Sequence, residues 1–454
     1  MHTLEQLRAG ELLGSKRLDL SCGLTEFPRE IFDLADSLEI LNLSGNSLSS
    51  LPDDLGRLHQ LRILFCSDNQ FTSVPEALGQ CTELSMVGFK ANRIRTLPAA
   101  ALPAKLRWLI LTDNELEALP AEIGNCTHLQ KLMLAGNRLT QLPETMAACT
   151  SLELLRIAAN HFTALPAWLL QLPRLSWLAY AGKPFADAQE AAVVAQHPIG
   201  SISWDQLTLQ QQLGEGASGV IYQARWQRKT EMQEVAVKLF KGAVTSDGLP
   251  HSEMAACISA GQHPNLIAVE GKISGHPTQA EGLMLELIDP AFRNLAGPPS
   301  FDTCTRDVYA PGTTFNPFTA LRIAHGIATA AAHLHRQGIL HGDLYAHNIL
   351  VTETGESLLG DFGAACFFNT NDTEVAPGLQ RLEVRAFGCL LEELLERCGS
   401  SGESDEVLTQ MQKLQRRCVH PNLKARPSFP EIEQQLAALQ NIGNEVHTEG
   451  HNVG

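Results

Sequence analysis

The chain has 454 residues, which corresponds to about three domain-sized units, and its 44% hydrophobic and 19% charged residues exclude a mainly disordered or collagen-like polymer. With 34 Lys and Arg against 50 Asp and Glu, the formal charge is −16. A chain this acidic repels polyphosphate backbones and anionic membrane surfaces, so neither nucleic acid nor membrane is expected as a partner.

The start, Met1-His2-Thr3-Leu4-Glu5-Gln6-Leu7-Arg8, has no basic stretch leading into an apolar core, so no secretory leader is expected there. No apolar run approaches the ~18 residues of a membrane span. The 11 cysteines are scattered without a CxxC pair. Cys81, Cys126 and Cys149 each precede a Thr two residues before a leucine, a repeated position suited to a small buried hydrophobe. Free thiols in a reducing, cytoplasmic compartment are the expectation, with no disulfide or zinc framework.

An internal period governs the N-terminal half. Asn46, Asn69, Asn92, Asn114, Asn137 and Asn160 are spaced 23, 23, 22, 23 and 23 residues apart. Leu38, Leu61, Leu84, Leu106, Leu129, Leu152 and Leu175 keep the same phase. Leu38 to Asn46 reads LxxLxLxxN, and Leu51-Pro52, Leu97-Pro98, Leu119-Pro120, Leu142-Pro143 and Leu165-Pro166 mark the other side of each unit. A short strand places alternating leucines inward, the Asn satisfies turning backbone, and the Pro stops strand extension. This pattern resembles the leucine-rich repeats over residues 15–185. Leu18 to Pro28 is a degenerate first unit, and Lys183 stands at the Asn position of the last, as in a terminal cap.

Within LxxLxL the third and fifth positions are expected on the concave face. Ile63, Phe65, Met86, Trp108 and Ile110 fall there, an apolar run that predicts a docking face for a protein partner or for the chain's own second half. Residues 186–204 read as a linker, with a helix-friendly stretch from Ala186 to Ala195 ended by His197-Pro198-Ile199-Gly200.

Gly214-Glu215-Gly216-Ala217-Ser218-Gly219-Val220-Ile221 then fits GxGxxGxV with Ile for the last Val. Strand-like residues flank it on both sides, which predicts a phosphate-covering hairpin rather than the strand–helix of a dinucleotide fold. A further strand carries Val235-Ala236-Val237-Lys238. Glu253, on an expected helix, is the candidate partner that holds Lys238 against nucleotide phosphates. Leu283 to Ile288 reads as a buried strand running into a hinge, with Leu285 walling an adenine pocket. His341-Gly342-Asp343 follows, with Asn348 five residues beyond the Asp, and then Asp361-Phe362-Gly363. An Asp that orients a hydroxyl, and an Asn and a second Asp that hold hard cations through oxygen, are what transfer from Mg·ATP needs.

This half resembles the protein kinases over residues 205–440. Glu383 to Gly388 is similar to the family's DVWSFG segment, and Cys418 to Phe429 to its CLxxDPxxRPSF segment. The fold expected for the whole chain is an α/β repeat solenoid followed by an α+β two-lobed kinase-like domain, with a flexible tail over 441–454. The resemblance implies ATP and Mg²⁺ as cofactors and a protein substrate. It implies Asp343, Lys238 and Glu253 as catalytic residues, and Asn348 and Asp361 as metal ligands. It further implies Gly214, Gly216, Gly219, Ile221, Ala236, Lys238, Glu286 and Leu287 around the nucleotide.

Four departures stand out. Gly342 replaces the Arg that pairs with a phosphorylated activation loop, so activity independent of loop phosphorylation is expected. Tyr345 stands where serine/threonine kinases carry a Lys, and His347 is a candidate substitute. No APE follows DFG, and Glu383 comes only 22 positions after Asp361 (383−361). Arg426 normally pairs with the APE Glu, and Glu374 is its candidate partner here. Last, Glu383 replaces the Asp that anchors the catalytic loop. An ATP-dependent, serine/threonine-type protein kinase is the expected function. A pseudokinase scaffold and a small-molecule phosphotransferase, suggested by the HGDxxxxN string of aminoglycoside and choline kinases, are the alternatives.

Overall fold

The computed structural model describes residues 2–182, 199–216, 218–229, 231–241, 244–245, 247–399 and 405–449. Lys183, the Ala186–Ala195 stretch and the rest of the linker before Ile199 lie outside the described residues. The chain forms two units: Met1–Leu172 with Gly182–Phe185 and Val244–Asp247, and Pro173–Ala181 with Ala186–Ala243 and Gly248–Gly454.

The first unit opens with helix α1 (Leu4–Arg8), whose start is closed by a reciprocal Thr3–Gln6 capping box. Seven three-residue strands follow: β1 (Arg17–Asp19), β2 (Ile40–Asn42), β3 (Ile63–Phe65), β4 (Met86–Gly88), β5 (Trp108–Ile110), β6 (Lys131–Met133) and β7 (Leu154–Arg156). Each pairs in parallel with its neighbours in chain order, in unbroken register. The period of the sequence is therefore the period of the sheet. The repeated prolines cap short 3₁₀ turns on the far side, as Pro75, Pro98, Pro120 and Pro143 do, and their fixed φ near −60° begins the turn.

The repeated asparagines tie one unit to the next. Asn69 Nδ2 donates to the carbonyls of Leu43 (2.9 Å) and Cys66 (3.2 Å), while its Oδ1 accepts from Leu48 N (2.9 Å). Asn92, Asn114, Asn137 and Asn160 repeat this arrangement. All 11 cysteines of the chain are free thiols, and Cys81, Cys126 and Cys149 are buried as repeat filler. Burial pushes the Cys81 and Cys149 thiols up to about 11.

The apolar concave run is less open than its spacing suggests. Ile63 and Met86 are buried, while Phe65, Trp108 and Ile110 are half-buried. Phe65 fills the space that a side chain at Gly88 would take. Trp108 donates to Met133 Sδ (3.4 Å) and carries the Lys131 ammonium 4.2 Å over its ring. Further along, Arg156, 1% exposed, donates from Nε to Asp247 Oδ1 (2.9 Å). Asp247 belongs to the short Val244–Asp247 stretch counted with this unit.

The second unit begins with Pro173–Ala181, which contains β8 (Trp177–Ala179). Then come β9 (Ser201–Ser203), β10 (Leu207–Glu215), β11 (Gly219–Arg228), β12 (Glu231–Phe240), helix α2 (Pro250–Ala260), β13 (Val269–Ser274) and β14 (Gly282–Glu286). These strands make one sheet in the order β10-β11-β12-β14-β13-β9, antiparallel except for the parallel β9–β13 pair. Its core is Ala224, Val235, Val237, Ile273 and Met284.

The rest of the unit holds β15 (Arg293–Asn294), α3 (Pro317–Arg336), β16 (Ile339–Leu340), β17 (Ile349–Val351), β18 (Ser357–Leu359), β19 (Cys366–Phe367), α4 (Ala376–Leu395), α5 (Asp405–Cys418) and α6 (Phe429–Glu449). Asn316 caps α3 by accepting from Phe318 N, with Pro317 at the first helical position. The stretch from 441, expected as a flexible tail, continues α6 to Glu449, because no proline interrupts it; residues 450–454 lie outside the described residues.

Candidate active site

The glycine-rich segment closes a hairpin. β10 and β11 pair antiparallel, with Gly214 opposite Ile221 and Gly216 N donating to Gly219 O (2.9 Å). Gly219 is glycine for a steric reason: a Cβ there would sit 2.4 Å from the Leu239 carbonyl on β12. Gly214 and Gly216 face open space, where backbone can approach a ligand. β12 continues the sheet, setting Lys238 beside Ile221 and Ala236 beside Leu285. Glu286 ends β14 and Leu287 follows it at the same edge.

Lys238 is ion-paired with Glu253 of α2, and the Glu253 side chain is 1% exposed. Burial alone would lower the Lys238 pKa, but the Glu253 and Asp361 carboxylates outweigh it and hold the ammonium protonated. Asp361 is therefore within electrostatic reach of this pair. It also reaches His347. Its backbone is left-handed (φ 53°), and its Oδ1 accepts from Gly363 N (3.1 Å).

In the loop after β16, Asn348 Nδ2 donates to both the Asp343 carbonyl (2.9 Å) and Asp343 Oδ2 (2.8 Å). That fixes the Asp343 carboxylate, and it turns the Asn348 amide oxygen away from Asp343. His341 Nε2 donates to the Gly360 carbonyl (2.9 Å), tying this loop to the strand before Asp361. Glu383 is buried; its Oε1 accepts from Gly342 N (2.7 Å) and its Oε2 meets His335 Nε2 (2.7 Å). Burial would raise the Glu383 pKa, but His335 and the Gly342 N–H outweigh it and lower it. The extra methylene relative to Asp is thus accommodated, with both oxygens used.

Among the described residues no group of three or more His, Cys, Asp and Glu forms a metal cage. Asn348 and Asp361 offer two hard oxygen donors. Such a sparse set fits Mg²⁺, which keeps waters and binds largely through nucleotide phosphates.

Three features were not foreseen from the motifs. His347 is held by Asp307, with Nδ1 to Oδ1 at 2.8 Å and its N–H donating to Oδ2 at 2.8 Å. Burial alone would lower its pKa, yet Asp307, with Asp343 and Asp361 behind it, raises it. The Tyr345 ring lies between His347 (5.1 Å, 34°) and Trp177 (4.1 Å, 7°). Arg426, for which Glu374 was a candidate partner, donates instead to the carbonyls of His420 (2.7 Å), Arg381 (3.1 Å) and Pro173 (2.9 Å). Main-chain oxygens replace the carboxylate because the shortened segment after Asp361 supplies no APE. The sequence signals were the departures at positions 342 and 345, with His347 as the candidate substitute, and the missing APE; nothing in the spacing pointed to Asp307 or Trp177.

A family model for protein tyrosine and serine/threonine kinases matches residues 207–405. Two leucine-rich-repeat models match residues 104–162 and 37–58. The serine/threonine-protein kinase PITSLRE of Drosophila melanogaster is 24% identical over 248 residues, covering 50% of this chain and 24% of that protein. The serine/threonine-protein kinase mos of Gallus gallus is 29% identical over 174 residues, 36% of this chain and 49% of that one. The calmodulin-binding receptor kinase CaMRLK of Arabidopsis thaliana is 27% identical over 257 residues, 53% and 37% respectively. The chain thus spans half or less of the length of each of these relatives.

Proposed function

Because this chain joins N-terminal leucine-rich repeats to a C-terminal protein kinase domain, we propose that it transfers the γ-phosphoryl group of ATP to a serine or threonine hydroxyl of a protein. The observation that supports this most is the pairing of Lys238 with Glu253 in electrostatic reach of Asp361, while Asn348 fixes Asp343. A scaffold that binds no nucleotide has no need of a buried lysine–carboxylate pair within electrostatic reach of a third carboxylate.

In this reading the hairpin amides around Gly214, Gly216 and Gly219 cover the phosphates. Ile221, Ala236, Glu286 and Leu287 surround the base. Lys238 neutralises phosphate charge, and Asp343 accepts the hydroxyl proton at its carboxylate. Asn348 and Asp361 would hold Mg²⁺, which supplies charge neutralisation on the phosphate oxygens. The chain's contribution is mainly positioning and electrostatics. We assign the concave repeat positions Phe65, Trp108 and Ile110 to docking of a protein partner, with the buried Ile63 and Met86 on the same face. Replacing Phe65 and Trp108 by Ser should keep the fold and abolish partner capture; unchanged capture by a folded variant sinks the assignment. No helix among the described residues is long and apolar enough to cross a membrane. The free thiols support a cytoplasmic setting.

The deciding experiment incubates purified chain, labelled ATP and Mg²⁺ with casein and with small alcohols. Asp343→Ala should lower transfer to casein by about 10²–10⁴-fold while nucleotide binding persists. Equal, background label in both proteins rejects the kinase reading and favours a scaffold. Label on the small alcohols instead of casein favours a small-molecule phosphotransferase.

A further inference from the structure

Pro173–Ala181 continues the leucine-rich pattern in sequence, yet it is part of the second unit. Its contacts there converge on the catalytic loop. Trp177 stacks on Tyr345, and its indole N–H donates to the Leu344 carbonyl (3.0 Å), directly after Asp343. The Leu178 carbonyl lies 2.8 Å from where a Cβ at Gly342 would sit, directly before Asp343. Tyr180 reaches past the loop to β19: its hydroxyl donates to the Phe367 carbonyl (3.0 Å) and its N–H to Cys366 Sγ (3.0 Å). β19 in turn pairs with β16, the strand that leads into the catalytic loop. The far end is pinned by arginines. Arg385 donates to Ser176 Oγ (2.8 Å) and Arg426 to the Pro173 carbonyl (2.9 Å).

Trp177 is 1% exposed and Tyr180 4%. Burial this complete, with the indole and phenol hydrogens both bonded, is that of a permanent core element rather than a detachable flap. The neighbouring sequence supplies the complement. The arginine that would brace the loop through a phosphorylated segment is absent at position 342. The segment from Asp361 to Glu383 is short, and Arg426 has carbonyls in place of a carboxylate.

We propose that Pro173–Ala181 is a built-in support for the catalytic loop, with Trp177 and Tyr180 as positioning residues that hold Leu344–Tyr345 and Cys366–Phe367 where a longer activation segment would otherwise brace them. The proposal rests on the phosphotransfer reading for its effect on rate, and on backbone order for its effect on structure. The two are measured separately.

The test uses the full chain carrying Trp177→Ala, Trp177→Phe or Tyr180→Phe. Amide hydrogen exchange is followed over residues 339–348 and 364–368. ATP turnover on casein is resolved into kcat and KM. Trp177→Ala should speed exchange in both stretches and lower kcat by about tenfold or more, with KM for ATP within about twofold. Trp177→Phe, which keeps a stacking face, should recover much of the rate. Tyr180→Phe, the mildest change and the safeguard against misfolding, should loosen 364–368 selectively. A wild-type chain without transfer whose exchange still responds this way overturns the kinase reading and leaves the support standing. Unchanged exchange in the folded variants overturns the support. A faster Trp177→Ala enzyme also overturns it, by showing the segment to be a brake.

Discussion

Lys238→Met is expected to lower phosphoryl transfer by roughly two to three orders of magnitude and to destabilise the fold by about 3–5 kcal/mol. The two effects have different origins. In the proposed phosphotransfer reading the rate falls because the ammonium assigned to the phosphates is gone. The stability falls because Glu253, 1% exposed, is left without its counter-charge while Asp361 remains nearby. A buried carboxylate in that position takes up a proton rather than stay charged. Adding Glu253→Gln to the methionine variant should therefore restore part of the stability and none of the rate. Denaturant titration of the two single variants and the double variant separates the terms. If Lys238→Met is as stable as wild type, the pair contributes nothing to the fold.

The second large effect is expected at Gly342. Restoring the family's arginine there should be harmful, against the intuition that a return to the common residue helps. The backbone at Gly342 is left-handed (φ 74°), and a Cβ would lie 2.5 Å from the Ala364 carbonyl and 2.8 Å from that of Leu178. Alanine should destabilise by about 1–3 kcal/mol from conformation and overlap together. Arginine should do worse, since its guanidinium has no room to leave this buried position. Thermal unfolding of Gly342→Ala and Gly342→Arg is the measurement. An arginine variant with wild-type Tm would mean that the glycine is incidental.

The repeat architecture was legible because a 23-residue spacing of Asn and Leu translates directly into stacked strands in fixed register. The kinase-like half was legible because Lys238, Glu253, Asp343, Asn348 and Asp361 occur in an order that only the folded arrangement explains. What the sequence concealed is the allegiance of Trp177 and Tyr180. Trp177 keeps the repeat's phase, so periodicity assigns it the same duty as Trp108. Yet its partners are residues about 170 positions away along the chain, Leu344 and Tyr345. Local pattern carries no term for such a contact. The Asp307–His347 bond was hidden for the same reason, since Asp307 sits in a stretch with no motif of its own. Burial of Ile63 and Met86 does not follow from the repeat phase alone: facing the concave side fixes the direction of a side chain, not how much of it neighbouring side chains cover.

The asparagine ladder has a consequence for how the array can change over evolutionary time. Every Asn spends its amide on carbonyls of two successive units, as Asn137 does with Leu111 (2.8 Å) and Leu134 (2.9 Å). The bond pattern is the same at each junction, so no junction encodes its own position in the row. A duplication or deletion of one whole unit of this length therefore rejoins compatible surfaces, whereas a change of a few residues orphans several buried amides at once. The array is thus quantised: the steps its bonding tolerates are whole turns of the solenoid, and one turn added or removed reuses the junction contacts already present.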